Sequence, residues 1–222
     1  MGYRLNFGDV IGYSSLLAWG AWYTIQLTAL STVLGLLVGT LGALARNSRH
    51  RPLRLFSAAY VEFIRNTPFL IQLFFIFFGL PSLGLRLTAG EAALLTMVVN
   101  LGAYATEIIR AGIEAIHRGQ VEAGLSLGMT RWQVFRHIIF LPALEKIYPA
   151  LASQLVFSML GSSIVSQISA EDLTFAANFI QSRNFRSFET YFIITAVYLA
   201  MAVGFRNLLD RIGARVFVWR RP

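Results

Sequence analysis

Long apolar runs, broken at intervals by short polar clusters, make up most of the chain. The runs lie at about Trp22 to Leu44, Leu55 to Leu80, Ala89 to Ile109, Tyr148 to Ile168 and Phe188 to Leu208. Each is long enough to cross about 30 Å of hydrocarbon as a helix. The pattern predicts an all-α integral membrane protein with five transmembrane helices, folded as one domain over residues 1–222 with no internal repeat. Residues 1–14, with Arg4 and Asp9, read as a polar lead-in. No short apolar segment with a small-residue cleavage site opens the chain, so no removed signal peptide is expected.

The interruptions are more telling than the runs. Gly35 and Gly39 stand four apart in the first span, a spacing that lets two helices approach closely. In the second, Glu62, Arg65, Asn66, Thr67 and Pro68 fall together. Pro68 has no N–H to donate and clashes with the preceding turn, so the helix should bend or open there. Arg65 lies 13 residues beyond Pro52, about 20 Å at a helical rise of about 1.5 Å per residue. A cation at that depth costs at least ~2.5 kcal/mol and must face protein, water or a counter-charge. Glu62 and Glu107 are the candidate partners. Asn100 and Tyr104 add polarity to the third span, and Ser162 and Ser163 to the fourth. Beyond it, Ser169-Ala170-Glu171-Asp172 resembles a helix start, with Leu173, Ala176, Ala177 and Ile180 along one face of a short outer helix.

Composition sharpens the class. The 222 residues are 56% hydrophobic and 14% charged, with mean hydropathy +0.60, outside the range of soluble domains. The net charge of +8 would fit nucleic acid, but its distribution does not. Lysine occurs once, at Lys146, and the other 18 basic residues are arginines, mostly between apolar runs. Five spans place 14 basic residues, from Arg46 to Arg221, on one side and four, Arg4, Arg86, Arg183 and Arg186, on the other. That bias predicts an outer N-terminus and an inner C-terminus. The lack of cysteine excludes disulfides and thiolate chemistry.

One polar island, Gln120 to Pro142, falls on the inner side. Val121 to Leu127 suits a short helix with Glu122 in its first turn, where the helix dipole favours a carboxylate. Gly128 stops it, and Thr130-Arg131-Trp132-Gln133 has the form of a capping box for a second helix, ended by Pro142. The result is a shaped, partly exposed knob.

Glu122-Ala123-Gly124, Gly128 and Leu141-Pro142 resemble the Glu-Ala-Ala (EAA) loop of ABC-importer permeases. Val61 to Phe75, containing Glu62-Phe63-Ile64-Arg65-Asn66-Thr67-Pro68, is similar to the second-span signature of permeases for polar amino acids of the histidine, glutamine, glutamate and arginine type; Ala103 to Arg110 resembles their third-span motif. The resemblance covers residues 20–215. It implies a type I importer permease in the bacterial inner membrane, with an ATPase-coupling loop at about residues 117–142 whose docking residues are Glu122, Ala123, Gly124, Leu125, Ser126, Leu127 and Gly128. Gly124 replaces the usual third alanine, which loosens the helix by ~1 kcal/mol.

The implied partners are two cytoplasmic ABC ATPases, a second permease, identical or homologous, and a periplasmic or lipid-tethered amino-acid-binding protein. ATP and Mg would sit on the ATPases, with no cofactor or metal on this subunit. The implied substrate pathway is lined by Arg65, Asn66, Thr67, Gln72, Asn100, Tyr104, Ser162 and Ser163, with Glu62, Pro68 and Glu107 structural. Relatives often carry charges just before the paired hydroxyl residues of span four, where this chain has Met159-Leu160-Gly161, so no site is transferred there.

Two other classes compete. A membrane enzyme needs a nucleophile and a base, yet His50, His117 and His137 all fall in inner loops, and no Gly-x-Ser-x-Gly or His-Glu-x-x-His motif occurs. No catalytic residue is therefore expected. An ATP-independent secondary transporter or channel would also use a polar break in a span, but has no need of the inner knob. Without a Walker loop, the chain should not hydrolyse ATP itself.

Overall fold

The computed structural model describes residues 5–217. Arg4, Arg220 and Arg221, counted above for orientation, lie outside the described residues. The helices in chain order are α1 (Gly8–Ile11), α2 (Ser14–Arg46), α3 (Arg51–Arg65), α4 (Phe69–Phe74), α5 (Ala89–Glu114), α6 (Arg118–Ser126), α7 (Arg131–Val134), α8 (Leu141–Gly161), α9 (Leu173–Asn184) and α10 (Ser187–Val216). No strand occurs among the described residues. Four helical stretches, Ser14–Arg46, Ala89–Glu114, Arg131–Ile168 and Ser187–Val216, are long and apolar enough to cross a membrane. A fifth span is obtained when α3 and Phe69–Leu83, bent by 110°, are taken together.

The α2–α5 pair forms the spine. A Cβ on Gly35 would come within 2.8 Å of Leu101, one on Gly39 within 2.4 Å of Ala105, and one on Gly42 within 2.2 Å of Thr106. The glycine spacing read from sequence is thus a helix contact. Thr24, Thr28, Thr96 and Thr106 are buried, and each donates its hydroxyl to a carbonyl one turn earlier, so none is left unpaired in apolar surroundings.

Two boundaries differ from the sequence reading. The helix of the first span begins at Ser14, not near Trp22, and within this extension Gly20 packs against the backbone at Asp172 and Leu173. Pro142 does not end the knob's second helix. From α7 the chain continues through a π-helical stretch, Phe135–Phe140, into α8, and on through a 3₁₀ stretch, Ser162–Ile168. Pro142 sits in the first turn of α8, and the widened turn before it accommodates a residue that cannot donate to the ladder.

Leu173, Ala176, Ala177 and Ile180 form one buried face with Val10, Leu17 and Ile194, as the pattern required. The cap of α9, however, is Asp172, whose Oδ1 accepts from Phe175 N–H at 2.8 Å, while Ser169 closes the preceding 3₁₀ stretch at φ +63°. Asp172 is fully buried, and Tyr198 OH donates to its Oδ2 at 3.1 Å. Burial raises its pKa to about 6, against the hydrogen bonds from Phe175, Tyr198 and Thr174, which act to lower it. A raised carboxyl pKa contributes stability that is complete below the unfolded value near 4 and is lost as pH climbs through about 6. Asp172→Asn keeps the cap acceptor without the charge. Its melting temperature relative to wild type should therefore rise between pH 4 and 7, by the equivalent of about 2 kcal/mol. A constant difference across that window would contradict the assignment.

The lead-in from residue 5 onward is also structured. Val10 is fully buried, Asn6 N–H donates to Glu189 Oε1 at 2.9 Å, and Arg186 lies 3.7 Å from both Asp9 and Glu189. This pins the chain before α2 to the start of α10.

Candidate functional site

Two places carry the sequence-predicted residues. The first is the break in the second span. Asn66 ends α3, and Pro68, at φ −64° and ψ 139°, opens α4. A helix that stops inside a membrane leaves carbonyls without partners. Gln72 answers this: its Nε2 lies 2.7 Å from Ile64 O, 3.0 Å from Thr67 O and 2.9 Å from Thr67 Oγ1. Its Oε1 accepts from Asn100 Nδ2 of α5 at 2.9 Å. One buried amide therefore ties the two halves of the broken helix to each other and to the spine.

Arg65 forms no ion pair within 4 Å with Glu62 or Glu107. Glu62 accepts from Asn66 Nδ2 at 3.0 Å, and Glu107 is taken by Arg110, at 3.0 Å through Nε, and more loosely by Arg46 at 3.9 Å. The turn at the break instead lays the Arg65 guanidinium over the Tyr104 ring, 5.4 Å from its centroid. Tyr104 lies near the middle of α5, so the arginine is held at that level, with its side chain exposed. A cation–π contact supplies ~0.5–2 kcal/mol, and no carboxylate within 4 Å neutralises the charge among the described residues. An open face capable of meeting an anion remains.

Arg65, Asn66, Thr67, Gln72, Asn100 and Tyr104 are thus brought together. Ser162 and Ser163 stand apart from this network. Ser162 is fully buried and donates to Met159 O at 2.6 Å, while Ser163 donates to Leu160 O at 2.8 Å. Their stretch adjoins the break through Val165, which shares a buried cluster with Leu73 and Met97.

The second place is the inner knob. Helix α6 starts at Arg118, earlier than the pattern predicts, because the His117 ring accepts from Gly119 N–H at 3.1 Å. Glu122 is therefore one turn into the helix, and its exposed carboxylate meets no partner among the described residues. Gly128 adopts φ +79°, with Met129 N–H bonded to Gly124 O at 3.1 Å, a glycine-dependent stop as expected. The capping box forms in both directions: Gln133 N–H to Thr130 Oγ1 at 3.3 Å and Thr130 N–H to Gln133 Oε1 at 2.8 Å. Gly124 is buried, and a methyl there would come within 2.4 Å of Ile138 Cδ1, so the departure from alanine lets α6 lie closer to the following helix.

The outside of this tightly closed elbow carries apolar side chains among polar ones. Leu127 is 83% exposed and Trp132 67% exposed, with Leu125, Ala123 and Ser126 beside them also exposed. The elbow is braced from behind by Lys146, whose Nζ donates to Ala115 O at 2.8 Å, at the carbonyl end of α5.

The family model described as "Binding-protein-dependent transport system inner membrane component" matches residues 31–218. The L-cystine transport system permease protein TcyB of Bacillus subtilis (strain 168) is 39% identical over 169 residues, covering 76% of this chain and 72% of that protein. The glutamine transport system permease protein GlnP of Escherichia coli (strain K12) is 34% identical over 203 residues, covering 90% and 93%. A crystal structure of an amino acid ABC transporter with histidines superimposes with a TM-score of 0.89 at 39% identity, over 96% of this chain and 100% of that one. An inward-facing MetNI methionine ABC transporter gives 0.76 at 21% identity, over 92% and 98%, a likeness of fold.

Proposed function

This chain belongs to the family of binding-protein-dependent transport system inner membrane components, and we propose that it is the permease subunit of an ABC importer for amino acids, moved by a partner ATPase that grips the elbow from Glu122 to Gly128. The observation that carries the reading is the exposure of Leu127 and Trp132 on a rigid, doubly capped elbow. Apolar side chains held this way outside a membrane have a partner's groove as their natural surroundings. Inner placement of that elbow, with the N-terminus outside, is supported by the basic residues around it. ATP and Mg would then act on the ATPase, and a second permease would complete the passage.

Amino acids are supported as substrates by the relatives' specificities and by the chemistry of the break. Arg65 offers a cation, Tyr104 a flat surface behind it, and Asn66 and Glu62 polar groups alongside. The carboxylate common to all amino acids suits the arginine, which leaves the side-chain preference to other contacts. Arg65→Ala should lower uptake about 10- to 100-fold, the equivalent of ~1.5–3 kcal/mol for a hydrogen bond to a charged group, without disturbing assembly with the ATPase. Wild-type uptake kinetics would show the charge to be dispensable. The reading as a whole is tested by purifying the complete transporter and screening amino acids for binding-protein-dependent stimulation of ATP hydrolysis. Stimulation by none of them would overturn the substrate class.

A further inference from the structure

One apolar groove near the end of α2 serves neither the break nor the elbow's outer surface. It measures about 320 Å³ and lies between α2, α5 and the stretch that runs from the elbow into α8. Leu36 and Leu44 line it from α2, Ile113 from α5, Phe140 from the π-helical stretch and Leu151 from α8. The π-helical register, which pairs a residue with the fifth one on, sets the Phe135 and Phe140 rings together on one wall, with centroids 6.1 Å apart.

The lining decides what can fill it. Thr40 alone brings a polar side chain, and its hydroxyl is already donated to Leu36 O at 2.8 Å. A buried water needs ~2–4 polar partners, so water and polar solutes find no site here. From Leu36 to Leu44 the groove follows α2 for about 12 Å at a helical rise of about 1.5 Å per residue. That length fits within one leaflet, ~15 Å of hydrocarbon, and α2 closes two residues beyond, at Arg46. A helix is ~10–12 Å across and over that length exceeds the space, whereas a single flexible hydrocarbon chain does not.

Charge at the mouth narrows the occupant further. Arg49 lies just past the end of α2, and Arg136 adjoins Phe135 of the groove wall. Both are exposed, and neither has a carboxylate within 4 Å among the described residues.

We propose that this groove binds one acyl chain of an anionic phospholipid, drawn from the leaflet on the side assigned above to the interior, with the headgroup phosphate against Arg49 and Arg136. Basic pockets between spans on that side suit anionic headgroups. The seated chain touches the α2–α5 spine and the continuation of the elbow at once.

The test places the complete transporter in nanodiscs of equal phosphatidylglycerol and phosphatidylcholine and counts retained lipid by native mass spectrometry. Wild type should keep phosphatidylglycerol in about tenfold preference. Thr40→Trp fills the groove from an exposed position, so its melting temperature should hold while retention falls at least tenfold. Arg49→Gln combined with Arg136→Gln should keep lipid but lose the preference. Equal retention in wild type and Thr40→Trp would overturn the proposal, as would an unchanged preference in the double variant. The permease lacks cysteine, so Leu44→Cys carries a fluorophore at one place and gives a second reading independent of groove filling. Brominated phosphatidylglycerol should quench it several-fold more than brominated phosphatidylcholine; equal quenching, or cross-linking of Leu44→Cys to another subunit, would contradict a lipid occupant. Neither uptake nor ATP hydrolysis is read, so the importer reading can fail separately.

Discussion

Leu127→Asp is expected to abolish ATP-driven uptake while leaving the permease at its normal level in the membrane. Leu127 is 83% exposed, so its loss should affect folding little. Covered by a partner, a leucine contributes ~1.5–3 kcal/mol, and a carboxylate in its place must be stripped of water as well. Together these exceed ~3 kcal/mol, enough to weaken ATPase association more than 100-fold. Gly128→Val should fail for a different reason. At φ +79° a β-branched residue is strained, and the elbow that presents Leu127 would open. Gly124→Ala is the informative control, because the added methyl meets the far end of a flexible side chain, Ile138 Cδ1, which can move aside. Pull-down of the ATPase and uptake in whole cells read all three variants, and near-normal uptake in Leu127→Asp would remove the docking role.

Gln72→Leu should produce the second large effect, this time on the subunit itself. The buried amide serves the Ile64 carbonyl, Thr67 and Asn100 at once. An apolar replacement strands the carbonyl and the Asn100 amide, at about 1–3 kcal/mol each. A loss near 4 kcal/mol corresponds to a fall in melting temperature on the order of 10 °C. Adding Asn100→Ala to Gln72→Leu should recover part of that loss, since one stranded donor disappears with its side chain. Strictly additive effects would mean that the Gln72–Asn100 hydrogen bond does not hold the break.

How much of this could be read from sequence depended on how local each cause was. The spans follow from runs of apolar residues, and the position of the break follows from Pro68, whose ring acts on its immediate neighbours. The 110° angle does not, because it is set by Gln72 reaching back eight residues to Ile64 and across to Asn100. Arg65 was assigned carboxylate partners from its position on α3, but Glu62 is engaged by Asn66 and Glu107 by Arg110, and the guanidinium lies over Tyr104 instead. Glu107 shows the converse: Arg110 lies three residues on, a local pairing that the chain itself displays. In the elbow, Gly128 and the Thr130–Gln133 capping box were legible because each acts within a single turn. Pro142 misled because the π-helical stretch before it lets a continuous helix pass. Gly124 could not be understood before Ile138 was placed against it.

Reconstitution tests the coupling of this subunit to a nucleotide-driven partner most directly. Vesicles containing the permease with its ATPase, with binding protein and labelled amino acid on the outer side, should take up label only when ATP is supplied inside. Permease without the ATPase, or the complex with a non-hydrolysable nucleotide, should take up none. Uptake by the permease alone, at the rate of the full assembly, would contradict the coupling and leave an ATP-independent carrier in its place.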